Sequence, residues 1–414
     1  MASDLLQRRV RRGKEDPARV SERLGRASQP RPSGHLIWLH GVSVGESLSL
    51  LPLVQRFRQA RPDLSLLVTS GTTTSAHLLA ERLPAGVLHQ YVPVDTPGAV
   101  AAFLDHWQPQ VGILVESELW PNLILMAHER GVKLALVSAR ITEHSGRNWQ
   151  RIPAAARTLL EAFDAILPQD EASASRITAL GGRVTDLANL KQVGDPLPHD
   201  PTAFTRLSAM IGDRPVIVAG STHPGEELPI LRALMALQPT PLIVLIPRHP
   251  ERSKEIASAL ADAGLTAAFR SEGAQPDLDE TIYVADTLGE MGLFLRLADA
   301  VVLGGGFGPT LDQPALGGHN PLEPARLGKA VFSGRDMANW RTVAEELVAA
   351  GGLVLVEHPG DLTGRIQPLL NHPDRAHEMG KKAQRAAQTT GGDVLTRIWH
   401  AVEPLLPARQ GGEP

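Results

Sequence analysis

Ala300-Val-Val-Leu-Gly-Gly-Gly306 and, a short way on, Gly318-His-Asn-Pro-Leu-Glu-Pro324 are the segments on which the fold turns. A short apolar run ending in glycines reads as a buried parallel strand. The second segment opens a helix. Asn320 is a good N-cap, Pro321 fits the first helical position, and Glu323 falls at the third. A helix start there offers free N–H groups and a positive dipole end to an anion. The Asn and Glu side chains beside it suit the hydroxyls of a sugar, so the loop fits a sugar nucleotide. Capping alone also accounts for each residue.

Working outward, the same strand–loop–helix unit recurs along the chain. Strands are expected at 35–42, 64–70, 89–94, 111–116, 133–139 and 165–169, with helices at 46–60, 74–83, 97–107, 122–130 and 149–163 between them. After a proline-rich break the alternation resumes, with strands at 215–221, 242–247, 266–269, 281–285, 300–304, 330–333 and 353–356. The expected class is α/β, two doubly wound Rossmann-like parallel-sheet domains facing a cleft. The boundaries read as a basic arm at 1–33, an N-terminal domain at 34–190, a linker at 191–214, a C-terminal domain at 215–402 and a disordered tail at 403–414.

Composition narrows the function. The chain has 414 residues, 43% hydrophobic and 21% charged, which suits two globular domains. A net charge of −4 gives no reason to expect nucleic acid. The absence of cysteine excludes disulfides, thiolate metal sites and cysteine nucleophiles. No His/Asp/Glu spacing suits a metal, so none is expected. No apolar run reaches the roughly 18–20 residues of a membrane span. Residues 1–31 instead carry nine basic against four acidic side chains, a local +5. Such an arm suits an anionic lipid surface, and a frayed terminus accounts for it equally.

The informative loops should follow strands, because ligands bind at the carboxyl ends of such sheets. Gly41-Val-Ser-Val-Gly-Glu46 places a glutamate at a helix start, where it could act as a general base or merely favour the dipole. It also matches Gly-x-Ser-x-Gly, which keeps a hydrolase with Ser43 as nucleophile open. Glu116 and Glu118 form an acidic edge beside Trp120. Ser221 and Thr222 follow the first strand of the second half and could bind phosphate. Arg248 and His249 sit at the next strand end, where the guanidinium suits phosphate. The glycines around Gly289, Glu290 and Met291 suit a nucleobase or ribose.

Together, Ile37-Trp-Leu-His-Gly-Val-Ser-Val-Gly-Glu46, Glu116-Ser-Glu-Leu-Trp-Pro-Asn122, Ser138-Ala-Arg140, Pro247-Arg-His-Pro-Glu-Arg252, Gly289-Glu-Met-Gly292 and Gly317-Gly-His-Asn-Pro-Leu-Glu-Pro324 resemble the signature of the 3-deoxy-D-manno-octulosonic acid (Kdo) transferases of lipid A biosynthesis. The resemblance runs from about residue 14 to about residue 370. It implies a GT-B fold and inverting transfer of Kdo from CMP-Kdo to a 6-hydroxyl of the lipid A precursor, lipid IVA. It also implies work at the cytoplasmic face of the inner membrane of a Gram-negative cell, and the lack of a metal-ligand set adds the expectation that no metal or other cofactor is needed. Peripheral attachment to the anionic surface is expected.

By the same resemblance Glu46 is the general base, and Glu118 and Lys191 assist the transition state. Pro247, Arg248, Gly289, Glu290, Met291, Asn320, Pro321, Leu322 and Glu323 bind CMP, with Ser221, Thr222 and His249 added from the loop reading. Two departures stand out: no long apolar segment precedes Arg12-Gly-Lys-Glu-Asp-Pro17, and residues 306–317 diverge from the family's short basic loop. Another GT-B enzyme such as a nucleotide-sugar epimerase, a serine hydrolase, and a non-enzymatic sugar-nucleotide or lipid binder remain the alternatives.

Overall fold

The structure is a computed structural model that describes residues 2–11, 15–116, 119–276 and 280–409. It divides into two compact units, residues 1–194 with 391–414, and residues 195–390. Each is built on one parallel sheet.

The first sheet holds β1 (Leu36–His40), β2 (Ser65–Ser70), β3 (Leu88–Tyr91), β4 (Val111–Val115), β5 (Lys133–Ala139) and β6 (Ala165–Pro168), in the order β3-β2-β1-β4-β5-β6. The order reverses between β1 and β4, so their carboxyl ends flank a crevice. Side chains alternate across the pleat. Leu36 and Trp38 of β1 join one buried layer while Ile37 and Leu39 join the other. Both faces are covered, which is why these strands read as continuous apolar runs. Trp38 reaches full burial because Gly112 on β4 leaves room for its ring: a Cβ there would lie 2.9 Å from Trp38 Cε3.

The second sheet holds β7 (Val216–Thr222), β8 (Leu242–Pro247), β9 (Ala268–Phe269), β10 (Ile282–Val284), β11 (Ala300–Leu303), β12 (Ala330–Gly334) and β13 (Leu353–Val356), in the order β13-β12-β11-β7-β8-β10-β9. The reversal falls between β7 and β11. Val216 and Val218 face one layer, Ile217 and Ala219 the other. The expected strands are all present, and 133–139, 242–247 and 353–356 keep their bounds.

Several expectations need correction. The helix expected at 149–163 is two helices, Glu143–Trp149 and Pro153–Glu161, because Pro153 starts the second at its first turn. The segment read as linker contains the helix Pro201–Ile211, whose Ala203, Leu207 and Ile211 join the second unit's core. The long helix Pro373–Val402 was assigned to the C-terminal domain, but its residues from Gly391 onward belong to the first unit. The reason is burial: Val394, Ile398, Trp399 and Val402 lie in the first unit's core, and Trp399 meets Phe57 edge-on at 5.3 Å. The tail read as disordered carries a short helix at Glu403–Leu405, and Arg61 Nη1 donates to Pro407 O at 3.0 Å. Residues 410–414 lie outside the described residues.

The basic arm is also more tied down than its charge suggests. Ala2–Arg11 is helical. Buried Glu22 accepts from Arg19 and from Tyr91 N, buried Arg23 donates to Val92 O, and Arg9 pairs with buried Glu15 at 2.7 Å. Arg31 donates to Trp107 O at 2.8 Å. Arg8, Arg11 and Arg26 remain exposed, while Arg12 and Lys14 lie outside the described residues.

Candidate active site

Each unit has its own set of loops at the point where its sheet reverses. In the first unit, β1 leads through Gly41 into the helix Val44–Ala60. Ser43 caps that helix with extended backbone, and Glu46 sits at its third position. The two close a capping box. Glu46 N donates to Ser43 Oγ at 3.3 Å, and Glu46 Oε2 accepts from Val42 N at 2.6 Å and Ser43 N at 3.1 Å. Such a cap contributes about 1 kcal/mol. The same bonds bear on catalysis. Oε2 is held by the backbone, while Oε1 takes no hydrogen bond from the described residues, and the side chain is half-exposed. A fixed carboxylate with one open oxygen is what a general base needs. Ser43, read as a possible nucleophile, serves as the cap, and among the described residues no histidine hydrogen-bonds its hydroxyl.

Across the reversal point, Glu116 follows β4 in the left-handed region, φ 60°, which a non-glycine residue adopts only at a cost. Its Oε1 lies 2.8 Å from Lys191 Nζ. Lys191 is brought there by the turn Leu190–Gln192, which Asn189 caps through its side chain and whose Leu190 N donates to Ser138 Oγ at 2.7 Å. Ser138 is also left-handed, φ 54°, at a register shift near the end of β5. The Leu190–Gln192 turn packs against the Glu46 helix. Lys191 thus occupies the first unit's site, but its carboxylate partner is Glu116, which the residue roles had passed over. Glu118 lies outside the described residues.

In the second unit, Ser221 is left-handed, φ 56°, at a register shift near the end of β7. Thr222 is fully buried and its carbonyl accepts from Arg248 N at 3.0 Å, which ties the β7 and β8 ends together. Pro247 is buried behind them, and Arg248 and His249 are exposed. Arg248 has no ion-pair partner among the described residues. His223 Nε2 lies 2.7 Å from His319 Nε2, with the rings edge to edge and nearly coplanar, centroids 5.0 Å apart and planes within 4°. His249 meets His223 edge-on at 6.1 Å. Burial, reinforced by Arg248 and His249, lowers His223 and pushes His319 down to about 4. An unpaired guanidinium and three histidines therefore converge on the β7, β8 and β11 ends, an arrangement made for an anion.

Sequence reading missed the residue that organises this cluster. Glu226 is 1% exposed, and both its oxygens accept from Gly305 N at 2.9 and 2.8 Å. Oε1 also takes Phe307 N and Oε2 takes His223 N. Burial pushes its carboxyl up and these N–H groups pull it back. Gly305, φ 75°, must be glycine: a Cβ would lie 2.9 Å from the His319 ring. Gly318 N returns to Gly305 O at 3.1 Å, so the divergent run 306–317 is an excursion closed at its base.

The opening motif begins its helix one residue later than expected. The helix is Leu322–Arg326, and Asn320 Oδ1 accepts from Leu322 N at 3.0 Å. With five residues it carries only a small dipole, so the local N–H groups matter more than the axis. Pro321 and Leu322 are buried, Leu322 in the core itself. Glu323 is largely buried beside Asn320 Nδ2 at 3.4 Å, and burial pushes its carboxyl up. On the other flank Gly289 is left-handed and Met291 Sδ lies beside Gly220. Glu290 is already engaged: Arg270 holds it through paired bonds of 3.1 and 2.7 Å, and Thr287 donates to it. Leu288 beside it is 86% exposed. Among the described residues no cluster of three or more His, Asp or Glu is placed to hold a metal ion, and no helix is long and apolar enough to cross a membrane.

Comparison with known proteins identifies the family. Residues 18–193 match the family described as 3-deoxy-D-manno-octulosonic-acid transferase (kdotransferase). The transferase of that name from Rickettsia bellii is 33% identical over 89% of this chain and 87% of its own length. The one from Bordetella pertussis is 34% identical over 94% of this chain and 91% of its own length. A glycosyltransferase from Rickettsia africae, at 11% identity, superposes over 90% of this chain and 99% of its own with a TM-score of 0.62. The UDP-GlcNAc 2-epimerase of Neisseria meningitidis, at 13% identity, gives 0.58 over 90% and 100%. These two show the fold, GT-B, and the relatives show the activity: the chain belongs to the 3-deoxy-D-manno-octulosonic acid transferase family and is a glycosyltransferase of that class.

Proposed function

We propose that this enzyme transfers Kdo from CMP-Kdo to the 6-hydroxyl of lipid IVA, inverting the anomeric centre and using no metal. The observation that carries the donor assignment is the Arg248 guanidinium, unpaired among the described residues and set among His223, His249 and His319 at the sheet's reversal point. A nucleoside monophosphate leaving group needs its growing charge met, and this cluster supplies cation and donors without an ion. Asn320 and Glu323 suit the hydroxyls of the nucleotide sugar or of Kdo, and the Gly289–Met291 loop suits the base.

In the first unit, Glu46 Oε1 takes the acceptor hydroxyl's proton as the oxygen attacks the anomeric carbon. The C–O bond to phosphate breaks and its electron pair leaves with CMP. Lys191, held by Glu116, sits beside this site as the assisting cation, with Glu118 the assisting acid. The test is incubation with radiolabelled CMP-Kdo, with UDP-sugars in parallel and with EDTA present. Labelled lipid from CMP-Kdo alone, undiminished by EDTA, is the expected result.

We also propose peripheral attachment to the anionic cytoplasmic face of the inner membrane. Among the described residues Arg8, Arg11 and Arg26 are the exposed arginines of the arm, and each contributes about 1 kcal/mol near such a surface. Salt-sensitive co-sedimentation with anionic vesicles, weakened by removing these three charges, is expected; equal binding by both proteins at low salt refutes a role for the arm.

A further inference from the structure

Within the donor cluster, His223 and His319 are coupled to each other. They lie on different loops, yet their Nε2 atoms are 2.7 Å apart and the rings are parallel within 4°. At that distance only one hydrogen fits between them. One ring donates its Nε2–H and the other must leave Nε2 bare. A proton added to the pair therefore goes to an outer Nδ1, and the charge is shared through the central bond. The two rings titrate as one unit.

The surroundings favour the neutral pair while the site is empty. Arg248, His249 and Arg252 press on it from the β8 side with positive charge. Arg252 is itself spent on Glu227 and Glu255, and His249 faces Glu251. The nearest buried carboxylate, Glu226, is turned to the backbone, where it holds His223 N and the Gly305 peptide under the His319 ring. Glu323 and Asn320 follow on the His319 loop. No carboxylate among the described residues bonds either ring, so none of these side chains is placed to hold a proton on the pair.

We infer that His223 and His319 form one proton-sharing unit that gains a proton when the donor phosphate binds and opposes the second negative charge that appears as it leaves. The inference rests on the donor site proposed above. A phosphodiester carries one charge. When the anomeric C–O bond breaks, the phosphate keeps the electron pair and becomes a dianion, while the acceptor's proton goes to Glu46. The pair's positive charge stays in place, so charge and atoms balance without a further reactant.

The probe is CMP, and the readout is NMR of protein labelled at the histidine Cε1 positions, with signals assigned by H223Q and H319Q. Free protein should show both rings titrating below the ordinary imidazole range. Saturating CMP should move their titration up together by at least one pH unit. Each variant should lose about 10²-fold in kcat, and the double variant no more than either single one. Rings that titrate independently, rings that ignore bound CMP, or single losses that multiply in the double variant each overturn the pair while leaving the donor site standing. Failure of CMP to bind the wild-type protein overturns both.

Discussion

Each unit places a Gly-Glu pair after its first strand, Gly45-Glu46 after β1 and Gly225-Glu226 after β7. The two glutamates have come to opposite uses. Glu226 is buried, and both oxygens are occupied by backbone N–H groups that join the two sides of its crevice. Glu46 gives one oxygen to its own loop and leaves the other open. The same residue type at the same topological point is a brace in one unit and a reagent in the other. What separates them is whether the far strand end supplies donors. Gly305 and Phe307 do so in the second unit, whereas Glu116 in the first is itself an acid engaged with Lys191.

The comparison can be broken by exchanging expectations between the two sites. The largest effect expected is from E46Q. Its amide oxygen still accepts the capping bonds, so CMP affinity and melting temperature should hold while kcat falls about 10³-fold. Turnover near the wild-type level would remove Glu46 as the base. Next comes E226A, which leaves the N–H groups of His223, Gly305 and Phe307 without their buried acceptor. Urea unfolding should show a loss of about 3 kcal/mol or more, with CMP binding lost as well. An unchanged midpoint would mean Glu226 is no brace.

A smaller effect is expected of R248M, a roughly 10- to 100-fold loss of CMP affinity by calorimetry with unfolding unchanged. Full affinity would separate the anion site from Arg248. The last is a pH effect. His319 is held near 4 against an ordinary value of 6.5. Between those values the unfolded chain binds the extra proton, so stability should be full above about pH 6.5 and decline toward pH 4. CMP should reduce that decline, since an anion favours protonation of the folded cluster. Thermal melts across this range, with and without CMP, measure both, and a flat profile refutes the burial of His319.

Much of this was legible in the sequence. Continuous apolar strands followed by glycines, as at Ala300–Leu303, gave the two sheets because both of their faces are covered. Positions just past strand ends made Glu46, Arg248 and the Asn320 loop candidates. What escaped was set by contacts between distant segments. Nothing near residue 399 shows that Trp399 packs on Phe57, and nothing near Lys191 shows that it pairs with Glu116. The His223–His319 contact likewise joins residues on separate loops. One signal was available: the recurrence of Gly-Glu after the first strand of each half, which marks Glu226 as the counterpart of Glu46.

The most direct test of Glu46 as the base of Kdo transfer is mass spectrometry of the lipid formed from CMP-Kdo and lipid IVA by the wild-type enzyme and by E46Q, side by side. Kdo-mass additions are expected from the wild-type enzyme and almost none from E46Q over the same interval, although both bind CMP. An unmodified acceptor with the wild-type enzyme, or equal additions by the two, would contradict that assignment.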